Sequence, residues 1–559
     1  MKPTRFHALL VFNAALLLFT LAASATRAQD LQVPWVAQLS AVGDSTASDC
    51  KMAVDSAGNL FVAGAVWGSL HGAFEFKPAS LTKQNLYFAK LDSKGQLLWL
   101  KSTEAPDSGK LKLLGGAAVD AFGNLLVVGD IAPGSTTLDG QLLSGMFVAK
   151  FSPDGQVLWT KNFNVGWFGN PLTHITTDSK ANVIVGGSFR ETLSVDDLSF
   201  SSQSSRLDGF LARLSPDGNL LWARQISVAP GGYDGLVGRA LQVDPAGGIY
   251  LGGHFTPELP PEAVHPRAVL VHYSADGDEQ WTLKAEGSGN SSIAIRGLAV
   301  DGGGRARCLV TFNKSIDLGG FQVEANPDKS EGLVATVSTT GAVESVAPIH
   351  HQGQPAPSAL YGLLAVDSKD NTLLIAQTSA STGGGTLLLG TNTIAIPENT
   401  GLLFVARLGP NGTFDWVAPF ASTSGRPFPL TQAQASPASV QVIGDTLYVQ
   451  GAFSFGDLQL GGRTLFLARD RLAAWAEDVF LARIFLKPAG PPLSVSRDGE
   501  TLLLSWLASA SGFVLQSSPT LGSGAVWQDV TTEAVVIGDR KVVTVEATSG
   551  TRFFRLKKP

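Results

Sequence analysis

Only two cysteines, Cys50 and Cys308, occur in 559 residues, and they fall in different repeats of the chain. A disulfide framework is therefore excluded and even a single bridge is disfavoured, so stability must come from packing. Charge is sparse as well. Asp, Glu, Lys and Arg make up 16% of the chain with a formal net charge of -6, and no basic run interleaved with aromatics is present. Nucleic acid and an anionic membrane surface are poor partners for such a chain. Long apolar runs are confined to Ala8 to Leu21, which is shorter than the roughly 20 residues that span a bilayer.

Lys2 and Arg5 precede that run, and small residues follow it, ending in Ala23-Ser24-Ala25 or Thr26-Arg27-Ala28. This is the pattern of a secretory signal peptide, expected over residues 1–28. The mature protein is expected to be secreted or at the cell surface, with the periplasm as the alternative, without membrane insertion and as a monomer. No Cys stands near the cleavage site to take a lipid. Loss of Lys2, Arg5 and Arg27 takes the net charge to about -9.

Catalytic signatures are missing too. The chain holds no Gly-x-Ser-x-Gly elbow, no His-Glu-x-x-His helix and no phosphate loop. His174, His254, His265 and His272 lack metal-ligand spacing, and the adjacent His350 and His351 should diverge on an extended strand. No cofactor and no metal are expected.

What is present is repetition. A motif AVDxxGNLxVxG…FVAKLSxDGxLLW recurs with a period of about 57 to 66 residues, the mark of a repeat architecture. Its first landmark is an Asp ending a short apolar strand, at Asp55, Asp120, Asp178, Asp244, Asp301 and Asp367, followed by a tight turn such as Ser56-Ala57-Gly58-Asn59. Gly and Asn tolerate positive φ and the carboxylate can accept N–H groups inside the turn, so the Asp reads as structural. A second strand follows, as in Leu60 to Gly64. The third is the most regular, as in Phe147-Val148-Ala149-Lys150 and Phe210-Leu211-Ala212-Arg213, with weaker copies at Val269 to His272 and Leu333 to Thr336. A fourth ends in Trp99, Trp159, Trp222, Trp281 or Trp416, with Ser345 in that place in the fifth unit.

Four short strands with two apolar faces cannot bury themselves alone and must pack against copies. The last third strand, near Phe485, has no fourth strand after it, whereas Val33-Pro34-Trp35-Val36-Ala37-Gln38 matches a fourth strand and precedes the first repeat. The expected fold is all-β: a seven-bladed β-propeller over residues 31–486, closed by this N-terminal strand, with six and eight as the neighbouring counts. After a Pro-rich linker, residues 487–492, the repeat is lost. Short strands over residues 493–559 suggest a small Ig/fibronectin-like β-sandwich.

Ala53-Val54-Asp55 through Gly64 and Phe147-Val148-Ala149-Lys150-Phe151-Ser152-Pro153-Asp154-Gly155 resemble the bacterial SBBP-type β-propeller repeat. The resemblance covers roughly Trp35 to Phe485 and implies the propeller fold but little chemistry. Likeness to NHL and quinoprotein repeats is weaker. Phe513, Leu515, Gln516, Ser518 and Phe554-Arg555-Leu556 resemble a C-terminal module found on secreted proteins of environmental Gram-negative bacteria.

Strand order divides the connections between two faces. The AspxxGlyAsn and ProAspGly turns share one, and the long, dissimilar second-to-third and blade-to-blade loops share the other, which is where binding is expected. Candidate ligand-binding residues there are Trp67, Trp167, Phe168, Tyr233 and Trp475, with Phe74 and Phe76 as further aromatics that equally suit covering a blade edge. Leu138-Asp139-Gly140 and Asp317-Leu318-Gly319-Gly320 read as turns of extra hairpins. The expected function is a secreted, non-catalytic interaction protein for a glycan or an extracellular or envelope protein. The alternatives are a carbohydrate-active hydrolase or lyase, identified by a carboxylate pair about 5 to 9.5 Å apart, and an envelope assembly scaffold.

Overall fold

The computed structural model describes residues 31–41, 50–77, 84–104, 111–166, 174–202, 207–226, 234–256, 267–287, 292–326, 330–352, 360–380, 384–398, 400–425, 434–454, 456–466, 477–486, 493–508, 512–520, 525–538, 540–546 and 551–557. The expected signal peptide and the Pro-rich linker lie outside them. Among the described residues, no helix is long and apolar enough to cross a membrane.

The repeats form antiparallel sheets, each a four-strand meander. In the first blade Lys51–Val54 pairs with Leu60–Trp67, which pairs with Gln84–Leu91, which pairs with Leu97–Ser102. Among the described residues seven such sheets occur, and their first strands are Lys51–Val54, Leu111–Val119, His174–Thr177, Asp234–Val243, Ile293–Val300, Tyr361–Val366 and Gln434–Ile443. Each first strand lies beside that of the next blade, and the seventh returns to the first, so together they ring a central axis. The fourth strand of the last blade is Gln32–Ala41, antiparallel to Glu477–Phe485 with Trp35 opposite Arg483. The two ends of the repeat region thus share one sheet.

Alternation along each strand sends its side chains to two interfaces. Phe61 and Ala63 pack with Leu125, Val127 and Phe147 of the second blade. Leu60 and Val62 pack with Tyr448 and Leu481 of the seventh. The core is therefore a set of interblade layers, in which each fully buried Leu or Phe contributes roughly 1.5–3 kcal/mol. Cys50 and Cys308 are buried in this core and form no disulfide, and burial pushes the Cys308 thiol up to about 12.

The C-terminal strands make two small sheets, one of Ser494–Asp498, Thr501–Leu507, Arg540–Glu546 and Val535–Ile537, the other of Gln528–Asp529, Val514–Ser518 and Phe553–Lys557. Leu504, Trp506 and Val543 from the first share a core with Leu515, Phe554 and Leu556 from the second. Gln516 explains the motif found in the sequence. Its amide donates to Asp529 at 2.7 Å and its carbonyl accepts from Arg555 at 2.9 Å, joining the three strands of the second sheet.

Candidate functional site at the loop face of the axis

The turn face is built from one unit used repeatedly. Oδ1 of Asp120 accepts the N–H groups of Phe122 and Asn124, both at 2.9 Å, and Oδ2 accepts the Asn124 side chain at 2.8 Å. Lys150, from the third strand, reaches the same carboxylate at 2.9 Å and the Pro216 carbonyl of the next blade at 3.0 Å. Trp159 of the fourth strand also donates to Pro216 at 2.9 Å. Burial alone would raise the Asp120 carboxyl, but the Asn124 amide and the Lys150 ammonium outweigh it and hold the group below the ordinary carboxylate range. Asp55 with Lys90, Asp178 with Arg213 and Asp244 with His272 repeat the pairing.

In the fifth blade Thr336 stands where the others carry a third-strand base, and Arg307 of the second strand supplies the charge instead, 2.9 Å from Asp301 and 2.6 Å from Thr336. The cation moves strands while the ion pair persists. A cavity of about 430 Å³ opens among Asp178, Asp244, Asp301, Asp367 and Asp370 on this face. Asp178, Asp244, Asp301 and Asp367 are all engaged in their own turns, and Asp370 accepts from Gly302. Among the described residues no group of three or more His, Cys, Asp or Glu could hold a metal.

The loop face is different in kind. At the register position where the second strands run out toward it, the seven blades carry Ala65, Asp130, Ser188, His254, Thr311, Gln377 and Ala452, opposite Leu86, Met146, Gly209, Ala268, Gly332, Leu403 and Val479 of the third strands. No two polar members are the same. The innermost strands carry basic residue types at one register level: Lys51 is opposite Ala63, His174 is opposite Gly186, and the backbones of Arg239 and Arg296 are the extra residues of bulges beside Gly252 and Leu309. Each bulge places one unpaired residue on the axial strand, and a bulge commonly re-aims a side chain.

Arg296 is the best-defined of these. Its Nε donates to Thr311 Oγ1 at 3.2 Å, and its guanidinium lies 5.3 Å from the centre of the Tyr361 ring. Tyr361 is 45% exposed, which leaves much of the pair open to solvent. No ion pair among the described residues includes Arg296, whereas Lys90, Lys150, Arg213 and Arg307 on the turn face all have carboxylate partners. A planar cation oriented by a hydroxyl and an aromatic ring, with its terminal nitrogens uncommitted to any of these, is suited to a carboxylate or sulfate.

Trp167, Phe168, Tyr233 and Trp475 lie outside the described residues, and Trp67 ends the strand Leu60–Trp67 with its backbone opposite Gln84. Phe74 and Phe76 are 5% exposed and pack on Tyr87, covering a blade. The adjacent histidines take opposite faces of their strand as expected, His350 partly exposed and His351 buried, and Nδ1 of each still lies 3.6 Å from Glu331. Nδ1 is the ring nitrogen nearest the backbone, and Glu331 already accepts the His351 N–H at 2.9 Å. Carboxylates on this face are engaged as well, Asp478 with Gln38 and Ser40, Asp208 with Gln225.

Arg296 and Tyr361 were missed because they sit inside the repeated first strand, where attention falls on apolar periodicity. The available signal was a break of the apolar pattern: Arg at the bulge position of the fourth and fifth blades, Arg239 and Arg296, and Tyr361 opening the first strand of the sixth.

No family model matches the chain, and no curated protein sequence matches it. Among solved structures it is similar to a polysaccharide lyase of family PL25, an ulvan lyase bound to -[GlcA(1-4)Rha3S]-, at 9% identity and a TM-score of 0.45 over 76% of this chain and 94% of that one. It is also similar to the polysaccharide lyase Uly1, at 10% identity and a TM-score of 0.42 over 82% of this chain and 100% of that one.

Proposed function

We propose that this is an exported carbohydrate-binding protein that takes an acidic glycan at the loop-face mouth of its central axis. The carrying observation is Arg296, held by Thr311 and the Tyr361 ring and without a carboxylate partner among the described residues. A uronate carboxylate or a sugar sulfate would satisfy the guanidinium, and the half-open Tyr361 ring offers a stacking surface for the sugar face. Lys51 at the same level of the inner strands adds positive potential although the chain as a whole is acidic. The charged, apolar and small-residue order of residues 1–28 supports export.

Calorimetric titration of the mature protein with uronate-bearing, sulfated and neutral polysaccharides tests this. Binding is expected for the acidic ones, weakening as salt rises, and falling about 10- to 100-fold in Arg296→Gln, the value of a charge-assisted hydrogen bond. Equal binding of neutral chains, or an unaffected variant, would refute it.

A second reading, turnover of the same glycan, is favoured by the adjacency of Tyr361 to Arg296. A guanidinium that neutralises a uronate carboxylate makes the neighbouring C–H more acidic, and a phenol beside it can move the proton. Chain shortening with an unsaturated product, abolished in Tyr361→Phe while binding persists, would establish this reading; unchanged chain length would reject it.

A further inference from the structure

The C-terminal sandwich carries an arginine in a setting like that of Arg296. The sequence Arg552-Phe553-Phe554-Arg555-Leu556-Lys557-Lys558 is a short basic run with aromatics inside it, which corrects the expectation that the chain has none. Phe553–Lys557 is an edge strand of the three-stranded sheet. Its Phe554 and Leu556 enter the sandwich core beside Leu515 and Val530, so alternation puts Phe553, Arg555 and Lys557 on the outer face. Gln516 is opposite Arg555, and Asp529 is opposite Gln516, on that same face.

Two neighbours orient the Arg555 guanidinium. Its Nε donates to the Gln516 carbonyl oxygen at 2.9 Å, and its central carbon lies 4.2 Å from the centre of the Trp527 ring, well inside the roughly 6 Å reach of a cation–π contact. Gln516 is 6% exposed and has its other end fixed, donating to Asp529 at 2.7 Å. Arg555 and Lys557 are exposed. Among the described residues neither enters an ion pair, and Arg555 makes no hydrogen bond beyond the one to Gln516. A carboxylate is present on this face, but Asp529 stands two strands away, about 10 Å by strand spacing. The Gln516 amide between them occupies one Asp529 oxygen and leaves the guanidinium without a counter-charge. Bracing the sheet alone would be served by seating the carboxylate on the arginine. An amide spacer instead keeps a planar cation open at the surface.

We propose that this face is a second anion site, separate from the axial one, which takes the carboxylate or sulfate groups of an acidic polysaccharide. The terminal nitrogens of Arg555 form a fork that matches either group. Lys557 stands two residues on, about 6.8 Å along the strand, where it meets a further charged group of the same glycan chain. Phe553, half-buried on the other side of Arg555, offers a ring to a sugar face. A lipid surface needs charge without orientation, so the Gln516 and Trp527 supports would serve nothing there. The choice of a polysaccharide rests on the glycan reading of the axis, whereas the anion site itself uses no residue of the propeller.

The test uses the full mature chain and its Arg296→Gln variant, which removes the axial contribution, titrated calorimetrically with polygalacturonate, dextran sulfate and neutral dextran. The Arg296→Gln chain is expected to keep saturable, salt-sensitive binding to an acidic polymer. Adding Arg555→Gln should weaken that binding about tenfold or more, as for one charge-assisted hydrogen bond. Adding Arg555→Lys should restore little of it, because an ammonium keeps the charge but neither the fork nor the flat stack. Lys557→Gln, which leaves the Gln516 bridge intact, should weaken it a few-fold, and unchanged unfolding temperatures verify that the variants fold. Binding abolished outright by Arg296→Gln would overturn this proposal and leave the axial site standing. Binding indifferent to Arg296→Gln and lost with Arg555→Gln would do the opposite, and no binding by any chain would overturn both. Equal affinity with and without Arg555→Gln, full rescue by Arg555→Lys, or equal binding of neutral dextran would also overturn it. So would tighter, Arg555-dependent binding to anionic phospholipid vesicles or single-stranded DNA, because the ligand would then be of another class.

Discussion

The two ends of the propeller axis are made from the same strands by opposite rules. At the turn face, six blades carry the same Asp, its Oδ1 taking the same two turn N–H groups. At the loop face, the equivalent second-strand position holds Asp130, Ser188, His254, Thr311 and Gln377 in five different blades. A residue that serves its own blade recurs with the blade, whereas a residue that serves a ligand on the axis need occur only once. Repetition therefore points to folding, while the varied loop-face positions follow no shared turn, Asp130, Ser188 and Thr311 among them being buried.

The contrast is broken most severely by Asp120→Ala. Asp120 and Lys150 are nearly fully buried, and removing one member of a buried pair leaves the other charge stranded, costing about 3–5 kcal/mol. Chemical denaturation should show that loss, with glycan affinity per folded molecule unchanged. Arg296→Gln should show the reverse, stability within about 0.5 kcal/mol of the parent, as for substitutions away from the core, and weakened binding. A large stability loss in Arg296→Gln would mean that the loop face is structural too.

Acid should divide the faces next. The Asp120, Asp178 and Asp301 carboxyls are all held below their ordinary range: burial opposes this, and the turn amides with Lys150, Arg213 and Arg307 or Arg305 outweigh it. A lowered folded value means that the unfolded chain binds the proton more readily. The stabilisation is complete above the unfolded value of about 3.9 and is lost as pH falls through the lower folded values. Unfolding temperature should drop steeply below about pH 4, and Asp120→Asn should flatten that drop. An unchanged slope in the variant would remove Asp120 from the account.

Glycines sharpen the comparison further. Gly155 has φ +84°, and a Cβ there would lie 2.8 Å from the Trp99 ring of the preceding blade; Gly218 and Gly341 stand in the same relation to Trp159 and Trp281. Gly155→Ala should cost about 2–3 kcal/mol from left-handed strain and the clash together. Gly140, at φ +76° with open space around it, should cost only about 1 kcal/mol in the same substitution. Equal losses in thermal unfolding would show that the Trp contact is incidental.

The fold was legible because its signals repeat. Period, turn residues and the unpaired last sheet together led to closure by Trp35 and its neighbours; Asp317-Leu318-Gly319-Gly320 does turn an extra hairpin, whereas Leu138-Asp139-Gly140 turns the lengthened second and third strands themselves. What the sequence did not show is the partner of each repeated residue. Lys150 and Asp120 are thirty residues apart, and the acceptor of Trp159 is in the next blade. The proposed axial site was hidden for the converse reason: Arg296 and Tyr361 come from different blades, and only the ring brings them together. Search for exposed aromatics in long loops overlooked a tyrosine at the start of a strand.

The smallest expected effect concerns the one blade that lacks the belt tryptophan. Ser345 stands opposite Gly412, just as Trp99 stands opposite Gly155, with a Cβ on Gly412 meeting the Ser345 side chain. Pro410 precedes Gly412 by the same two residues that separate Pro153 from Gly155, so its carbonyl holds the place of the acceptor used by Trp99 at 2.9 Å. Ser345→Trp should therefore cover Gly412 with an indole and add a hydrogen bond to the next blade. Partial burial of the ring and one neutral bond together predict a gain of about 1–2 kcal/mol, read as a higher midpoint in denaturant with an unchanged slope. A loss instead would show that the fifth and sixth blades pack too closely for the indole, so that the missing Trp is an adaptation of that interface rather than a gap in the repeat.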